Sequence, residues 1–380
     1  MATRVNRFAK HLRSLEQMNR RRELVPRVVD GIHLVQPDGR RLINFGSNDY
    51  LGFAAQRSSP QVATGSMASA LVCGWSDQHQ CLVDRLAELE TTESVCLFPT
   101  GFAACSGTVA ALAAEGDLIL SDQLNHASLI DGCRLSRAEC VVYPHRDVDF
   151  VASQLSEKRT SYDHVWIVTD GVFSMDGHVA PLRELAKCAN RYDAQLVVDE
   201  AHGTGVLGGH GSGVCEALAV KDDVLVRLGT LSKAIGGQGG FAAGPKLVID
   251  YLINTCRTLI YSTALTPSAV ATGIDAVDRI RTDPSSREQV QKLSRLFRSE
   301  LAIESVSEIE SQVPIIPVMI GGDRETINVS RALADAGFFV PAIRPPTVPE
   351  GTARLRVSLS AAHDEAMMRN LAREIKRQLR

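Results

Sequence analysis

No run of 18 apolar residues occurs anywhere in the 380-residue chain, which excludes a membrane-spanning helix. The opening "MATRVNRFAKHL" has no apolar core of signal-peptide length, so no leader is expected. No CxxC pair is present either. The nine cysteines, Cys73, Cys81, Cys96, Cys105, Cys133, Cys140, Cys188, Cys215 and Cys256, are dispersed and odd in number. That pattern reads as reduced thiols in a cytoplasmic protein. There is no excess of positive charge: the formal net charge is -3 and the pI near 6.4. Nucleic acid and anionic membrane surfaces are therefore not expected partners. The one basic cluster, Arg20-Arg21-Arg22, ends a helical pattern and on composition reads as a solvated helix end. No repeat or low-complexity tract interrupts the chain.

What is present is an alternation. Helical spacing over residues 5–24 gives way at Pro26 to short extended segments, "GIHLV" and "RLINF". From about residue 80 to 245, β-rich runs such as "SVCLF", "DLILSD", "HVWIVTD", "AQLVVDEAH" and "DVLVRLGT" alternate with helical patterns. This predicts an α/β fold with a mostly parallel sheet covered on both faces. Beyond residue 265 the texture changes to helices near 267–281, 286–303 and 324–336, strands "VPIIPVMI" and "RLRVSLS", and a last helix from about 364. The expected organisation is an N-terminal arm (1–45), a large domain (46–265) and a small C-terminal α/β domain (266–380). An arm of about 45 residues is too short for its own core.

In open α/β sheets, ligands sit beyond the carboxyl ends of the strands. Here those ends carry Asp199 and then His202, Ser174 in the turn after "HVWIVTD", and Thr230 followed by Lys233. "CLFPTGFAA" opens a helix at Gly101 and Phe102, whose amides are disposed to bind a phosphate. Singly, each feature has an ordinary reading: a surface turn for Lys233, a hydrogen-bonded turn for Asp199 and His202, a cap for His126. Their occurrence in order at successive strand ends favours one explanation. Pyridoxal 5'-phosphate (PLP) needs an amine for its aldehyde, a carboxylate for its ring nitrogen and a cradle for its phosphate. A partly desolvated lysine also has a lowered pKa, which suits it to attack and to later work as a base.

The segments "TDGVFSMDG", "VVDEAHGTGVLG", "GTLSKAIGGQGG", "IYSTAL" and "AIRPPTVPEGTARLRVSLSAAH" closely resemble the α-oxoamine synthases, from "INFGSNDYLGF" to the C-terminus. The resemblance implies a fold-type-I PLP transferase with a mostly parallel seven-stranded sheet, condensing an amino acid with an acyl thioester. The long C-terminal motif is most similar to the branch that joins L-alanine to pimeloyl-CoA or a pimeloyl-carrier protein on the way to biotin. The resemblance makes Lys233 the Schiff-base lysine and Asp199 the partner of the pyridine nitrogen. It sets His202 and Ser174 near the ring hydroxyl and stacks His126 on the ring. Gly101, Phe102 and Thr230 would hold the phosphate, and Ser262 and Thr263 would reach the phosphate of the neighbouring subunit in a homodimer with shared active sites. Arg356 would hold the amino-acid carboxylate beside Asn48, with Arg20 and Arg344 toward the acyl substrate. No metal is implied.

The chain departs from the family at "TGSMASALVCGW". Gly65, Ser69 and Gly74 are kept, but Met67, Ala68 and Ala70 replace the usual glycine-rich and basic positions. The preceding "FAAQRSSPQVAT" is shorter than usual, and His79 follows at a family position that equally suits a helix start. These changes leave the acyl donor open. Alternatives are a glycine-using branch of the family, a fold-type-I aminotransferase, and a non-catalytic relative. Loss of the lysine would mark the last, and Lys233 is present.

Overall fold

Every residue of the strands Leu118–Asp122, Val165–Asp170, Val226–Thr230 and Gly240–Gly244 is buried, so the middle of this sheet has no solvent face; only the edge strand Glu139–Tyr143 is largely exposed. A computed structural model describes residues 5–56, 62–305 and 307–379. In it seven strands run in the order Ser94–Phe98, Gly240–Gly244, Val226–Thr230, Gln195–Asp199, Val165–Asp170, Leu118–Asp122, Glu139–Tyr143. The last five are mutually parallel, and Gly240–Gly244 is antiparallel to both neighbours.

The two-residue period of a strand divides the core in two. Leu118, Leu120, Ile167, Leu196 and Val198 face one apolar cluster. Ile119, Val168, Val197, Val226 and Leu228 face the other, together with Cys105, Phe98 and Leu129. The second face is covered by the helices Gly101–Leu112 and Ala127–Leu135. Two residues beyond Val168, Val197 and Leu228 come Asp170, Asp199 and Thr230. Strand parity therefore aims all three at that helical layer, at the carboxyl edge of the sheet.

The C-terminal part builds an antiparallel sheet from Ile315–Gly321, Ala353–Ser358 and Ala342–Ile343. Phe338–Phe339 adds in parallel to the N-terminal strand Arg41–Asn44, which stitches the beginning of the chain to its end. Helix Pro267–Thr282 packs on Asp77–Glu90, where a Cβ at Gly273 would stand 3.2 Å from Leu82.

One helix is shorter than its pattern. The spacing over 5–24 is realised only as Asn6–Gln17. Asn19 takes a left-handed φ of 58°, and the Arg20 amide turns back onto the Leu15 carbonyl at 2.7 Å, a helix-ending geometry. Arg20, Arg21 and Arg22 therefore lie past the helix rather than in its last turn.

Candidate active site

Asp199 closes a strand and is 6% exposed. Its Oδ1 accepts the Ala201 amide at 2.8 Å and its Oδ2 accepts the Cys105 thiol at 3.2 Å. The adjacent strand ends in Asp170, in direct register with Asp199. Asp170 Oδ1 accepts the His126 amide at 3.2 Å, while Oδ2 is buried without a partner among the described residues. Burial, reinforced by the Asp199 charge, pushes the Asp170 carboxyl well above the usual carboxylate range.

Lys233 follows the last parallel strand, and its Nζ lies 2.9 Å from His202 Nε2. His202 Nδ1 lies 2.7 Å from the Tyr50 hydroxyl, which also reaches Asn48 Oδ1 at 3.2 Å. These contacts assign the protons. Tyr50 donates to the Asn48 carbonyl oxygen, so it accepts from His202 Nδ1–H, and His202 Nε2 is left to accept from the lysine. Burial, followed by the positive charges of Lys233 and Arg356, holds the His202 imidazole well below the usual histidine range, so the ring is neutral. Burial likewise lowers Lys233 from its ordinary value, against the opposing pull of Asp199 and Asp170. The Tyr50 phenol is pushed up by burial, with Arg356 opposing, and stays protonated.

Arg356 completes the group. It is 5% exposed and donates to Asn48 Oδ1 at 3.0 Å, to the Ser358 hydroxyl at 2.9 Å and to the Ser174 carbonyl. A buried guanidinium so held is a ready carboxylate partner. No acidic side chain is salt-bridged to it among the described residues.

The helix Gly101–Leu112 starts against the same edge, capped by Thr100. The amides of Gly101 and Phe102 lie in its first turn, where no preceding carbonyl of the helix can accept them. The crowding there is tight. A Cβ at Gly101 would stand 2.9 Å from Thr230, and one at Gly240 2.5 Å from the Thr100 carbonyl oxygen. The Thr230 hydroxyl donates to the Gly239 carbonyl at 3.0 Å and lies 2.8 Å from Ser232 Oγ. His126 caps the helix Ala127–Leu135, its Nδ1 lying 2.6 Å from Ser128 Oγ, and packs edge-on to Phe102.

The structure thus brings Asn48, His202, Lys233 and Arg356 into one bonded network, with Ser174 attached through its backbone. Asp199 and His126 flank it. Ser262 and Thr263 line a separate small pocket with Trp75 and Pro99. That pocket also contains His79, and both its ring nitrogens are committed. Nδ1 lies 2.8 Å from the Ser76 hydroxyl and Nε2 2.9 Å from the Leu265 carbonyl oxygen, a capping-box role. Arg20 pairs with Asp323 at 2.7 Å and Glu350 at 2.5 Å, and Arg344 donates to the Asn19 carbonyl. Both arginines thus fasten the arm to the C-terminal part. In the altered segment, Ala70–Gly74 forms a π-helical turn, and a Cβ at Gly74 would stand 2.2 Å from the Ala68 carbonyl oxygen. Residues 57–61 of the short connector lie outside the described residues.

Sequence reasoning missed Tyr50, Cys105, Ser128 and Asp170. For Asp170 a signal existed: "HVWIVTD" and "AQLVVD" are neighbouring parallel strands that both end in aspartate. Tyr50 follows a polar turn and Cys105 lies among small helix residues, and neither position marks itself as part of a site in the sequence.

The arrangement fits PLP on the chain's own atoms. It offers a depressed-pKa amine, a buried carboxylate beside a second with an unpartnered oxygen, and a helix start kept open by glycines. Comparison with known proteins agrees. A model of the family "Aminotransferase class I and II" matches residues 40–375. An 8-amino-7-oxononanoate synthase of Marinobacter nauticus is 47% identical, covering 89% of this chain and 87% of its own length. Serine palmitoyltransferase of Sphingomonas wittichii superposes with a TM-score of 0.90 at 28% identity, over 100% of this chain and 98% of that one. A variant of the S. paucimobilis serine palmitoyltransferase with a bound PLP–myriocin aldimine gives 0.90 at 26% identity, over 100% and 98%. The chain therefore belongs to the class I and II aminotransferase family, in its α-oxoamine synthase branch.

Proposed function

We propose that this protein is a PLP-dependent acyltransferase that condenses L-alanine with a pimeloyl thioester, releasing CO2 and the thiol and forming 8-amino-7-oxononanoate for biotin synthesis. The observation that carries the reading is the bonded chain Lys233–His202–Tyr50–Arg356 beside Asp199. It sets a base and a carboxylate-binding cation at one buried site. The relatives named for this activity support the choice of substrates.

Bound PLP supplies an aldehyde that exchanges between amines and a cationic ring that accepts the electron pair released at the amino-acid Cα. The residues supply the rest. Lys233 Nζ would hold the cofactor and, as a free amine once substrate is bound, would take the Cα proton. Neutral His202 orients it by accepting one of its N–H bonds. Arg356, with Asn48, binds the substrate carboxylate and so presents the Cα–H bond to the lysine. After C–C bond formation and loss of CO2, Lys233 returns a proton to the same carbon. Asp199 would hold the ring nitrogen in its protonated, electron-accepting form. One such preorganised electrostatic contact is worth roughly 3–4 kcal/mol of transition-state stabilisation, by analogy with oxyanion donors.

The working unit in this reading is a homodimer, with Ser262 and Thr263 of one copy reaching the phosphate bound by the other. Apolar surface left open near the phosphate cradle supports it: Phe102 is 47%, Leu71 54%, Val72 78% and Tyr261 73% exposed. None of the nine cysteines forms a disulfide, which favours the cytoplasm. No helix among the described residues is long and apolar enough to cross a membrane.

Thiol release from pimeloyl-CoA tests the reading. Release that requires L-alanine and is not supported by glycine is expected. Release with glycine and a short acyl-CoA alone would move the protein to the glycine-using branch. Conversion of bound cofactor to its pyridoxamine form by an amino acid alone would make it an aminotransferase.

A further inference from the structure

Cys105 lies inside helix Gly101–Leu112, is 2% exposed, and joins the apolar cluster under the carboxyl edge of the sheet. Its side chain does more than fill space. The Sγ is 3.2 Å from Asp199 Oδ2, and the Ser128 hydroxyl is also within its hydrogen-bonding reach. Ser128 in turn lies 2.6 Å from His126 Nδ1. The Cys105–Asp199 contact thus ties this helix to the carboxylate expected at the cofactor's ring nitrogen.

We propose that Cys105 is a positioning residue for this site, its thiol donating to Oδ2 of Asp199 and so fixing the rotamer of that carboxylate and its aim at the cofactor's ring nitrogen. The inference rests on the PLP reading above for its functional consequence, and on the Cys105–Asp199 contact alone for its geometry.

The donor role follows from the surroundings. Burial, then the adjacent Asp199 charge, pushes the thiol well above its ordinary value, so Cys105 keeps its proton, and toward an ionised carboxylate, which has no hydrogen to give, the thiol is the donor. With Oδ1 bonded to the Ala201 amide, the thiol is the donor that completes the carboxylate's protein partners on the Oδ2 side. A thiol is a weaker donor than a hydroxyl. It orients the carboxylate while drawing off little of the charge that would face a pyridine nitrogen.

Two measurements test this. In the holoenzyme, the dissociation constant of the cofactor is read from the bound-cofactor absorbance. Cys105→Ala removes the donor and raises that constant roughly tenfold. Cys105→Ser, which still donates, restores it toward the wild-type value. A constant unchanged in Cys105→Ala, or raised equally in both variants, overturns the proposal, because a purely packing role would not be rescued by the smaller polar side chain. The second measurement uses the full chain without cofactor, so its outcome is separate from the PLP reading. The S–H stretching band assigned to Cys105 by its loss in Cys105→Ser rises in frequency in Asp199→Asn, where the acceptor loses its charge. A band that does not shift overturns the proposal whatever the cofactor does.

Discussion

At the scale of single residues, Lys233 is shaped by what burial does to its charge. Its amine contacts a neutral imidazole at 2.9 Å and is lowered from the ordinary 10.5. The sign for the proposed reactivity follows: the free amine, which in this reading attacks the aldehyde, grows as pH rises through the lowered value. The rate of cofactor loading into apo-protein therefore rises with pH and levels off below 10.5. Lys233→Ala should lose the long-wavelength absorption of bound cofactor and turnover together, and turnover surviving in that variant would remove the lysine from the mechanism. Tyr50→Phe leaves His202 Nδ1–H buried without its acceptor, costing about 1–3 kcal/mol. We expect kcat/KM to fall roughly tenfold to a hundredfold with little change in the circular dichroism spectrum. Lys233, Asp199 and His202 were legible because each ends or follows an apolar strand, where a charge demands a reason. Tyr50 was not, since nothing in "SNDYLGF" shows that its hydroxyl crosses to a histidine 152 residues away.

At the scale of elements, the proposed phosphate cradle depends on how closely a strand and a helix start can approach. A Cβ at Gly240 would lie 2.7 Å from Gly101 Cα as well as 2.5 Å from the Thr100 carbonyl oxygen, and both obstacles are backbone. Gly240→Ala must therefore push the helix start outward, at about 1–3 kcal/mol of strain. Titration of cofactor into apo-protein should show a dissociation constant raised roughly tenfold or more, while an unchanged constant would mean that the helix start is not the cradle. The sheet was legible from its continuous apolar runs. Strand direction was not: "GGFAAG" is buried on both faces like its parallel neighbours, and burial carries no sign of direction. The first helix was overread because its amphipathic spacing continues past Asn19, where the backbone turns left-handed. The π-helical turn at Ala70–Gly74 has no side-chain period by which it could have been read.

At the scale of the whole molecule, the two ends of the chain are locked by His363. Its Nδ1 accepts the Ser360 amide at 3.0 Å, its Nε2 donates to the Asn44 carbonyl at 3.1 Å, and its ring stacks on Phe45 at 4.3 Å. Burial lowers its pKa from 6.5 to about 4. A base depressed in the folded state binds protons more tightly when unfolded, so its contribution to stability is complete above 6.5 and is lost as pH falls toward 4. The loss is roughly 3 kcal/mol across that window. Thermal melts of wild type and His363→Gln should converge as pH falls from 7 to 4, and curves that stay parallel would contradict the lock. The distant joins, Phe338–Phe339 beside Arg41–Asn44 and Arg20 on Glu350, depend on tertiary packing that no local pattern encodes.

The central claim is the reaction itself, and the mass of its product tests it most directly. Cofactor-loaded protein is incubated with L-alanine and pimeloyl-CoA, with glycine and acetyl-CoA in parallel, and the products are identified by mass spectrometry. The account predicts 8-amino-7-oxononanoate from the first pair, absent from Lys233→Ala, and no amino ketone from the second. An amino ketone from the second pair alone, or none from either with cofactor bound, would contradict it.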